Sequence, residues 1–536
     1  MSMSFDLPPL DGTGSPAFTT GADGKLWLGN QTLTNPANLQ RQLCEQIEML
    51  NRQPISLRQR FDILELLYSH ITFAQEEMSK RYMGKPLPHL AAEADVFALT
   101  IRLWQAATLG YLRCLEDADA GKASGRTLAT LVQCALSSLH AMQADCTRGY
   151  AQLETRHWAR LHQLLAYAED HHIATVSVID EARYGTLTVT PLSVYVEAML
   201  LHAVSATEFS TRSLHRVVRW ARKWSTTVTL LTEAPADLQA VPINVDLDSS
   251  LPPSAVPIKN AGRARYLDTA GIASNIKACL AGLAAGSSPA ELGLGDDCSS
   301  AACEVMLQRL YQCWCRGGMQ RPADRNAVTG MVDLAAGAEA IWFHLAGRPF
   351  KQPRASDEML RREREEIATF GQVSGRADAQ TFDKSKLRAE SGWQIVNESP
   401  GGVRLMRALD AQSIRIGVGH LLAIKKLQAT SFMLASVRWL VLDPEGRLHA
   451  GLQLIPGVAT PIAFRIAGLN AANETWRPAF LLLADQPHTQ VQMQMVLPPV
   501  VFRTNRSLEI EGGPVKSYKL KKLVERSDDF ERALVE

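Results

Sequence analysis

Gly392-Trp-Gln-Ile-Val-Asn-Glu-Ser-Pro-Gly-Gly-Val-Arg-Leu405 begins as an alternating strand, breaks into a turn of Asn, Ser, Pro and two Gly, and resumes as a strand at Val403. The polar core of this stretch is Asn397, Ser399 and Gly402. Asn and Ser side chains bond nearby backbone and still offer a donor or acceptor outward, and glycine permits a positive φ and close approach. Read bare, Asn-x-Ser-x-x-Gly fits a plain hairpin, which is common with these letters, and a turn that holds a ligand.

The residues downstream extend the β pattern. Strands are expected at Val403 to Met406, Gly419 to Lys425, Phe432 to Leu442 and Leu448 to Leu454. With the turn, Gly419-His-Leu-Leu422, Val437-Arg-Trp-Leu440 and Ala450-Gly-Leu-Gln-Leu454, the segment Gly392 to Leu454 resembles the PilZ domain family, small β-barrels of bacterial signalling that bind cyclic di-GMP. The family places an Arg-x-x-x-Arg segment ahead of the turn, and Arg321-Pro-Ala-Asp-Arg325 fits that spacing. The resemblance implies that Arg321 and Arg325 clamp phosphate and stack on guanine, that Asn397 and Ser399 hydrogen-bond the ligand, and that Gly402 allows the turn. A second reading makes Arg321 and Arg325 surface residues beside Pro322 and Asp324.

The departure from the family is the long gap between Arg325 and Asn397. Met331 to Ala335 and Ala340 to Leu345 read as strands about a turn at Gly337, and a helical insertion is expected near 350–390. Within it, Ser356 caps a helix to Thr369 whose first turn is acidic, with Asp357–Arg361 and Glu358–Arg362 at i,i+4 spacing. That helix carries rival arginines, Arg361, Arg362 and Arg364, but Glu365 and Glu366 stand where the motif needs its second arginine.

Upstream, the pattern is helical. Residues 1–35, rich in Gly, Pro, Thr and Asn, read as a flexible leader, and 36–233 as a mainly helical domain. One apolar stripe is Leu39, Leu43, Ile47 and Leu50; another, Phe61, Leu64, Tyr68 and Ile71, follows a capping box at Ser56 and Gln59. Helix is expected over Ala91 to Glu116, Thr127 to His172 and Ser193 to Trp224, and short strands at Thr175 to Ile179, Thr186 to Thr190 and Thr226 to Leu231. Five prolines make 234–260 a linker, and 261–317 returns to helix, with Asp296 or Asp297 as a cap after Gly293-Leu-Gly.

The barrel is thus expected over 318–457. Residues 458–536 hold more β pattern than one barrel uses, so they either extend the sheet or form a second small β-domain, closed by a terminal helix or strand-helix at Tyr518 to Val535. The fold class is α+β multidomain: a mainly α-helical N-terminal half, a PilZ-like antiparallel barrel and further β-structure. No internal repeat is visible in the sequence.

Composition bounds the function. The 536 residues exceed one hydrophobic core, and 46% hydrophobic with 21% charged residues is ordinary for a globular protein. Lys plus Arg, 56, nearly equals Asp plus Glu, 55, so no overall field favours a long polyanion, while a small doubly charged ligand needs only a local arginine pair. The nine cysteines lack paired Cys-x-x-Cys spacing, so no metal is expected. Nucleophile elbows, P-loops and His/acid metal pairs are absent from the sequence, which points to a binder rather than an enzyme. No membrane span or signal peptide is apparent, and cytoplasmic residence is the expectation. The resemblance implies a cytoplasmic cyclic di-GMP receptor with a protein partner of unknown identity; its alternative is a ligand-free PilZ-like scaffold.

Overall fold

Ser56 opens a helix as its sequence requires: its hydroxyl accepts the Gln59 backbone N–H at 3.3 Å while the Gln59 side-chain Oε1 accepts the Ser56 N–H, also at 3.3 Å. The computed structural model describes residues 5–204, 209, 211–235, 240–318, 325–353, 387–410, 412–468, 474–483 and 493–536. The chain divides into two units. One is Met1–Lys85, His89–Pro322 and Leu442–Glu445; the other is Pro86–Pro88, Ala323–Val441 and Gly446–Glu536. The α+β division read from the sequence is the one observed, with helices concentrated in the first unit and antiparallel barrels in the second.

In the first unit the elements run α1 (Gly21–Gly29), α2 (Pro36–Leu50), α3 (Leu57–Ser79), α4 (Ala91–Ala120), α5 (Gly125–Arg148), α6 (Thr155–Asp170), α7 (Glu181–Tyr184), α8 (Pro191–Ala203) and α9 (Thr211–Ser225). They continue with β1 (Thr229–Leu231), β2 (Ile243–Asp246), β3 (Ala264–Asp268), α10 (Ala270–Ala284) and α11 (Ser300–Cys315). The apolar stripes of α2 and α3 fall where expected, with Leu39, Leu43, Ile47, Leu50, Leu64 and Ile71 all buried in one core. The helix expected from Thr127 to His172 is two, because α5 ends at Gly149 and Tyr150 takes a positive φ of 57°.

Several expectations need correction. The first 35 residues are not a loose leader: α1 forms there, and Phe5, Phe18 and Leu28 enter the core. Three well-spaced apolar anchors hold a segment without giving it a readable period. The Pro-rich stretch 234–260 supplies β2, the edge of an antiparallel β1-β3-β2 sheet. Its apolar Ile243, Val245 and Leu247 are buried, which prolines on either side do not prevent at an edge. The strands expected at Thr175 to Ile179 and Thr186 to Thr190 shrink to one bridge, Val178 to Val189. Ser299, not Asp296 or Asp297, caps α11; Asp297 instead takes Arg216 at 2.9 Å and Arg219 at 2.7 Å.

The second unit comprises two closed six-stranded barrels. The first contains β4 (Gly330–Ala336), β5 (Glu390–Ser399), β6 (Gly402–Ala408), β7 (Leu421–Lys426), β8 (Met433–Leu442) and β9 (Arg447–Leu454), and α12 (Ala338–Ala346) follows β4. The second contains β10 (Val458–Ile466), β11 (Arg477–Leu483), β12 (Gln494–Leu497), β13 (Ser507–Glu511), β14 (Ser517–Arg526) and β15 (Glu531–Val535). Going round each barrel, the strands come in the order first, second, third, sixth, fifth, fourth, so the two share one topology. Residues 458–536 therefore form a second closed barrel rather than an extension of the first sheet.

Two misread segments follow from period. Ala340 to Leu345, expected as a strand, lies in α12, bounded by Gly337 at φ 85° and by Gly347 in the left-handed region. A short apolar run does not distinguish a buried strand from a buried helix. Tyr518 to Val535, expected as a helix or strand-helix, is β14 and β15, where Tyr518 and Leu520, then Glu531, Ala533 and Val535, are buried at every second position. Ile341 and Trp342 of α12, Leu421 and Leu434 of the first barrel, and Phe480 and Phe530 of the second share one apolar cluster. The helix expected at Ser356 to Thr369, with Arg361, Arg362 and Arg364, lies outside the described residues.

Candidate functional site

β5 and β6 form a hairpin closed by Pro400 and Gly401, with Ser399 opposite Gly402 and Glu398 opposite Val403. Pro presets φ for such a turn. The strand is not regular, however: Ile395 pairs with Leu405 and Asn397 with Arg404, so Val396 is an extra residue, a β-bulge. Ile395 and Leu405 are buried, as are Val403 and its partner Leu452 and Ala450 opposite Leu405. Those side chains fill the barrel interior. Strict alternation from Ile395 would send Asn397 and Ser399 inward; the bulge resets it and turns both to the outer face with Arg404. The Ser399 hydroxyl donates to the Gly402 carbonyl at 3.3 Å. Gly402 is explained by crowding: a Cβ there would stand 2.8 Å from the carbonyl oxygen of Leu452 on β9.

The chain ahead of β4 lies against this turn. Asn326 and Glu398 form an isolated antiparallel bridge, Asn326 N–H to Glu398 C=O at 2.9 Å and Glu398 N–H to Asn326 C=O at 3.0 Å. Directly opposed residues share a face, so the exposed Arg325 follows the alternation to the side of Ser399 and Asn397. Arg321 lies outside the described residues. Beside the bridge opens a cleft of about 520 Å³, lined by Asn326, Glu398, Ser399 and Gly402 and, deeper, by Val332, Ile395, Val403 and Ile424. Glu398 at its rim pairs with the Lys426 ammonium at 2.7 Å.

Arg404, Trp439 and His449, which sequence reading did not single out, join Asn397 on the outer face. The Arg404 guanidinium lies 5.6 Å from the Trp439 ring centre, within cation–π range, and its Nη2 is 3.2 Å from His449 Nδ1. Trp439 lies across Gly451, the β9 partner of Arg404, where a Cβ would collide with the indole. Two buried polar atoms here, Asn397 Oδ1 and Arg404 Nε, have no hydrogen-bond partner among the described residues. Arg404 and Trp439 lie within two stretches that carry the resemblance, Gly392–Leu405 and Val437–Leu440, where neither was given a role of its own.

A second line of observation comes from the helices. Residues 22–236 match the family model of the N-terminal domain of the cyclic-di-GMP receptor FimW. No curated protein matches the chain. The matched region lies ahead of both barrels.

Inside the matched region, buried polar groups converge. Arg183 donates to Glu65 at 2.8 and 2.9 Å, to Asp180 at 2.8 Å and to the Tyr111 hydroxyl at 2.6 Å, and lies 3.8 Å from the Tyr68 ring centre. Nearby, Arg222 reaches Glu197 at 3.4 Å, and His140 lies 3.7 Å from the same carboxylate. Burial, opposed by Arg222, pushes Glu197 up to about 7, and burial with Arg222 and His157 pushes His140 down to about 3. Arg183 is tied into the helical core by these bonds, whereas both His140 ring nitrogens and Glu197 Oε1 are buried without a hydrogen-bond partner among the described residues. A separate cleft of about 170 Å³ near His202 and Trp314 is small for a dinucleotide. Among the described residues no three metal-ligating side chains converge, and no helix is long and apolar enough to cross a membrane.

Proposed function

We propose that this chain is a cytoplasmic bacterial signalling receptor for cyclic di-GMP, which binds nucleotide at the first barrel and relays that binding to the helical half or to a protein partner. The single observation that carries the proposal is the Asn326–Glu398 bridge, which sets Arg325 beside the Asn397–Gly402 turn. The FimW family description of the helical region supports the same ligand. In this reading the barrel is PilZ-like, Arg321 and Arg325 hold phosphate and stack on a guanine, and Asn397 and Ser399 bond the ligand from the outer face. Gly402 keeps the turn close to β9. Arginine suits the task because one planar group supplies both a donor fork and a stacking face. The chemistry is binding, not catalysis.

Calorimetry with the purified chain and cyclic di-GMP tests this reading. Saturable binding is expected, weakened about ten- to a hundredfold by Arg325→Ala and by Arg321→Ala, since a charge-assisted hydrogen bond is worth roughly 1.5–3 kcal/mol. A flat titration at high micromolar protein would leave the barrel as a ligand-free interaction scaffold.

A further inference from the structure

We infer that the cleft at the end of the first barrel takes one guanine base, whose polar edge is read by Glu398 and Lys426, an inference that rests on the cyclic di-GMP reading above. Lys426 stands directly opposite Val332, and Glu398 opposite Val403. Both valines are buried in the barrel, and directly opposed residues share a face. The two charged side chains therefore occupy inward-facing positions at the end of the barrel, and both line the cleft whose deeper walls are Val332, Ile395, Val403 and Ile424. Both are reachable from solvent, the Lys426 side chain 49% and the Glu398 side chain 29% exposed. At about 520 Å³ the cleft is of the size that small-molecule sites have, roughly 300–1,000 Å³.

An apolar slot with a paired cation and anion at its rim suits a flat, neutral group with a donor–acceptor edge. A bare anion would meet Glu398, and a bare cation Lys426. Guanine carries that edge: O6 accepts, and N1–H and the N2 amino group beside it donate. The ion pair at 2.7 Å engages one ammonium proton of Lys426, and another donates to O6. The Glu398 carboxylate, with about four lone-pair sites on its two oxygens, accepts from N1–H and N2–H. Adenine reverses the edge, turning its N6 amino group to the ammonium and its N1 lone pair to the carboxylate. Hypoxanthine keeps O6 and N1–H and lacks only the N2 amino group. Asn326 and Ser399 line the same cleft, so a dinucleotide with one base inside it keeps its phosphates beside the Asn397–Gly402 turn.

The experiment titrates the full chain with cyclic di-GMP, cyclic di-IMP and cyclic di-AMP, comparing the native sequence with Glu398→Gln and Lys426→Met. Glutamine keeps the size of Glu398 and replaces one acceptor by a donor, and methionine keeps the stem of Lys426 without its N–H groups. A melting curve of each variant reports its fold, to which a partly exposed ion pair contributes little. The native chain is expected to bind cyclic di-GMP about tenfold or more tightly than cyclic di-IMP, and cyclic di-AMP more weakly still. Glu398→Gln should weaken cyclic di-GMP about tenfold and narrow its lead over cyclic di-IMP, whereas Lys426→Met should narrow its lead over cyclic di-AMP. A native chain that binds cyclic di-GMP and cyclic di-IMP equally overturns the base-reading role. So does a folded Glu398→Gln chain with native affinity, or with weaker binding but an undiminished lead over cyclic di-IMP; either result leaves the receptor proposal standing. A native chain that binds none of the three overturns both.

Discussion

Asn326 and Glu398 exchange both backbone hydrogen bonds, at 2.9 and 3.0 Å, and so bring together two segments separated by α12 and the whole of the insertion. In sequence this separation is the strongest objection to a PilZ-like site. In space it is no obstacle, because a loop's closure cost grows only slowly with its length. The insertion leaves after α12 and returns at β5, while the arm before β4 meets the far end of the same strand.

Replacing Asn326 by Pro tests whether that bridge positions the arm. Proline removes the N–H donated to Glu398 and leaves the carbonyl in place. One backbone hydrogen bond contributes about 1 kcal/mol, so affinity for cyclic di-GMP should fall about five- to tenfold. The urea midpoint of the barrel should stay put, since Asn326 is exposed and lies ahead of β4. Unchanged affinity would mean that Arg325 is held by something other than this pair.

Two adjacent glycines of the turn should behave differently. A Cβ at Gly402 would stand 2.8 Å from the Leu452 carbonyl oxygen, and backbone of a paired strand yields only by moving β9. Gly402→Ala is therefore expected to destabilise the second unit by about 1–3 kcal/mol. A Cβ at Gly401 would meet nothing within 4 Å, so Gly401→Ala should stay within about 0.5 kcal/mol of native. Urea denaturation of the two variants side by side decides; equal effects would exclude the contact with β9 as the cause.

What was legible in the sequence follows from the range of the interactions. Caps and stripes are local, so α2 and α3 could be read from Ser56, Gln59 and the apolar spacing alone. The β5–β6 turn was legible for the same reason. The bulge at Val396 was not, because it exists only relative to β6, yet it decides that Asn397 faces outward. Arg404 escaped notice because its meaning lies in its cross-strand partner. The second barrel repeats the first in strand order while its β11–β12 connection, beginning Ala484-Asp-Gln-Pro-His-Thr489, has no Asn/Asp-x-Ser-x-x-Gly pattern. Topology survives where the letters that mark a repeat do not.

The helical unit should be sensitive to acid. His140 and His157 are held at about 3 and His202 at about 4, in each case chiefly by burial, against an ordinary value of 6.5. Their folded-state values are depressed, so the unfolded chain binds protons that the folded one refuses. Stability is lost as pH falls from about 6.5 towards 4, at about 1.4 kcal/mol per pH unit for each histidine. Glu197 acts oppositely. Its folded value is raised to about 7 by burial, so its contribution is full below its unfolded value of 4.5 and declines as pH rises through 7. Three groups outweigh one between pH 4.5 and 6.5. Urea midpoints followed by far-ultraviolet circular dichroism should therefore rise from pH 4.5 to 6.5 and dip slightly above it; a midpoint independent of pH would contradict the burial of these rings.

Phe530 tests whether the two barrels stand or fall together. It is 1% exposed and packs in the cluster that joins α12, β7 and β8 to β11 and β12. Beside it, both Asp529 carboxylate oxygens lie 3.0 Å from the Leu421 N–H at the start of β7, and the Ser527 hydroxyl donates to the Gly419 carbonyl. The turn between β14 and β15 thus grips the first barrel through backbone groups while Phe530 fills the apolar space behind. Phe530→Ala should cost about 3–5 kcal/mol, the usual range for a buried aromatic truncated in a core that does not collapse. Because the lost packing belongs to both barrels, hydrogen exchange should accelerate in β7 and in β11 alike. Acceleration confined to β11 would show that the first barrel holds its structure without the second, and would remove the second barrel as a route by which events at the Asn397 turn spread through the unit.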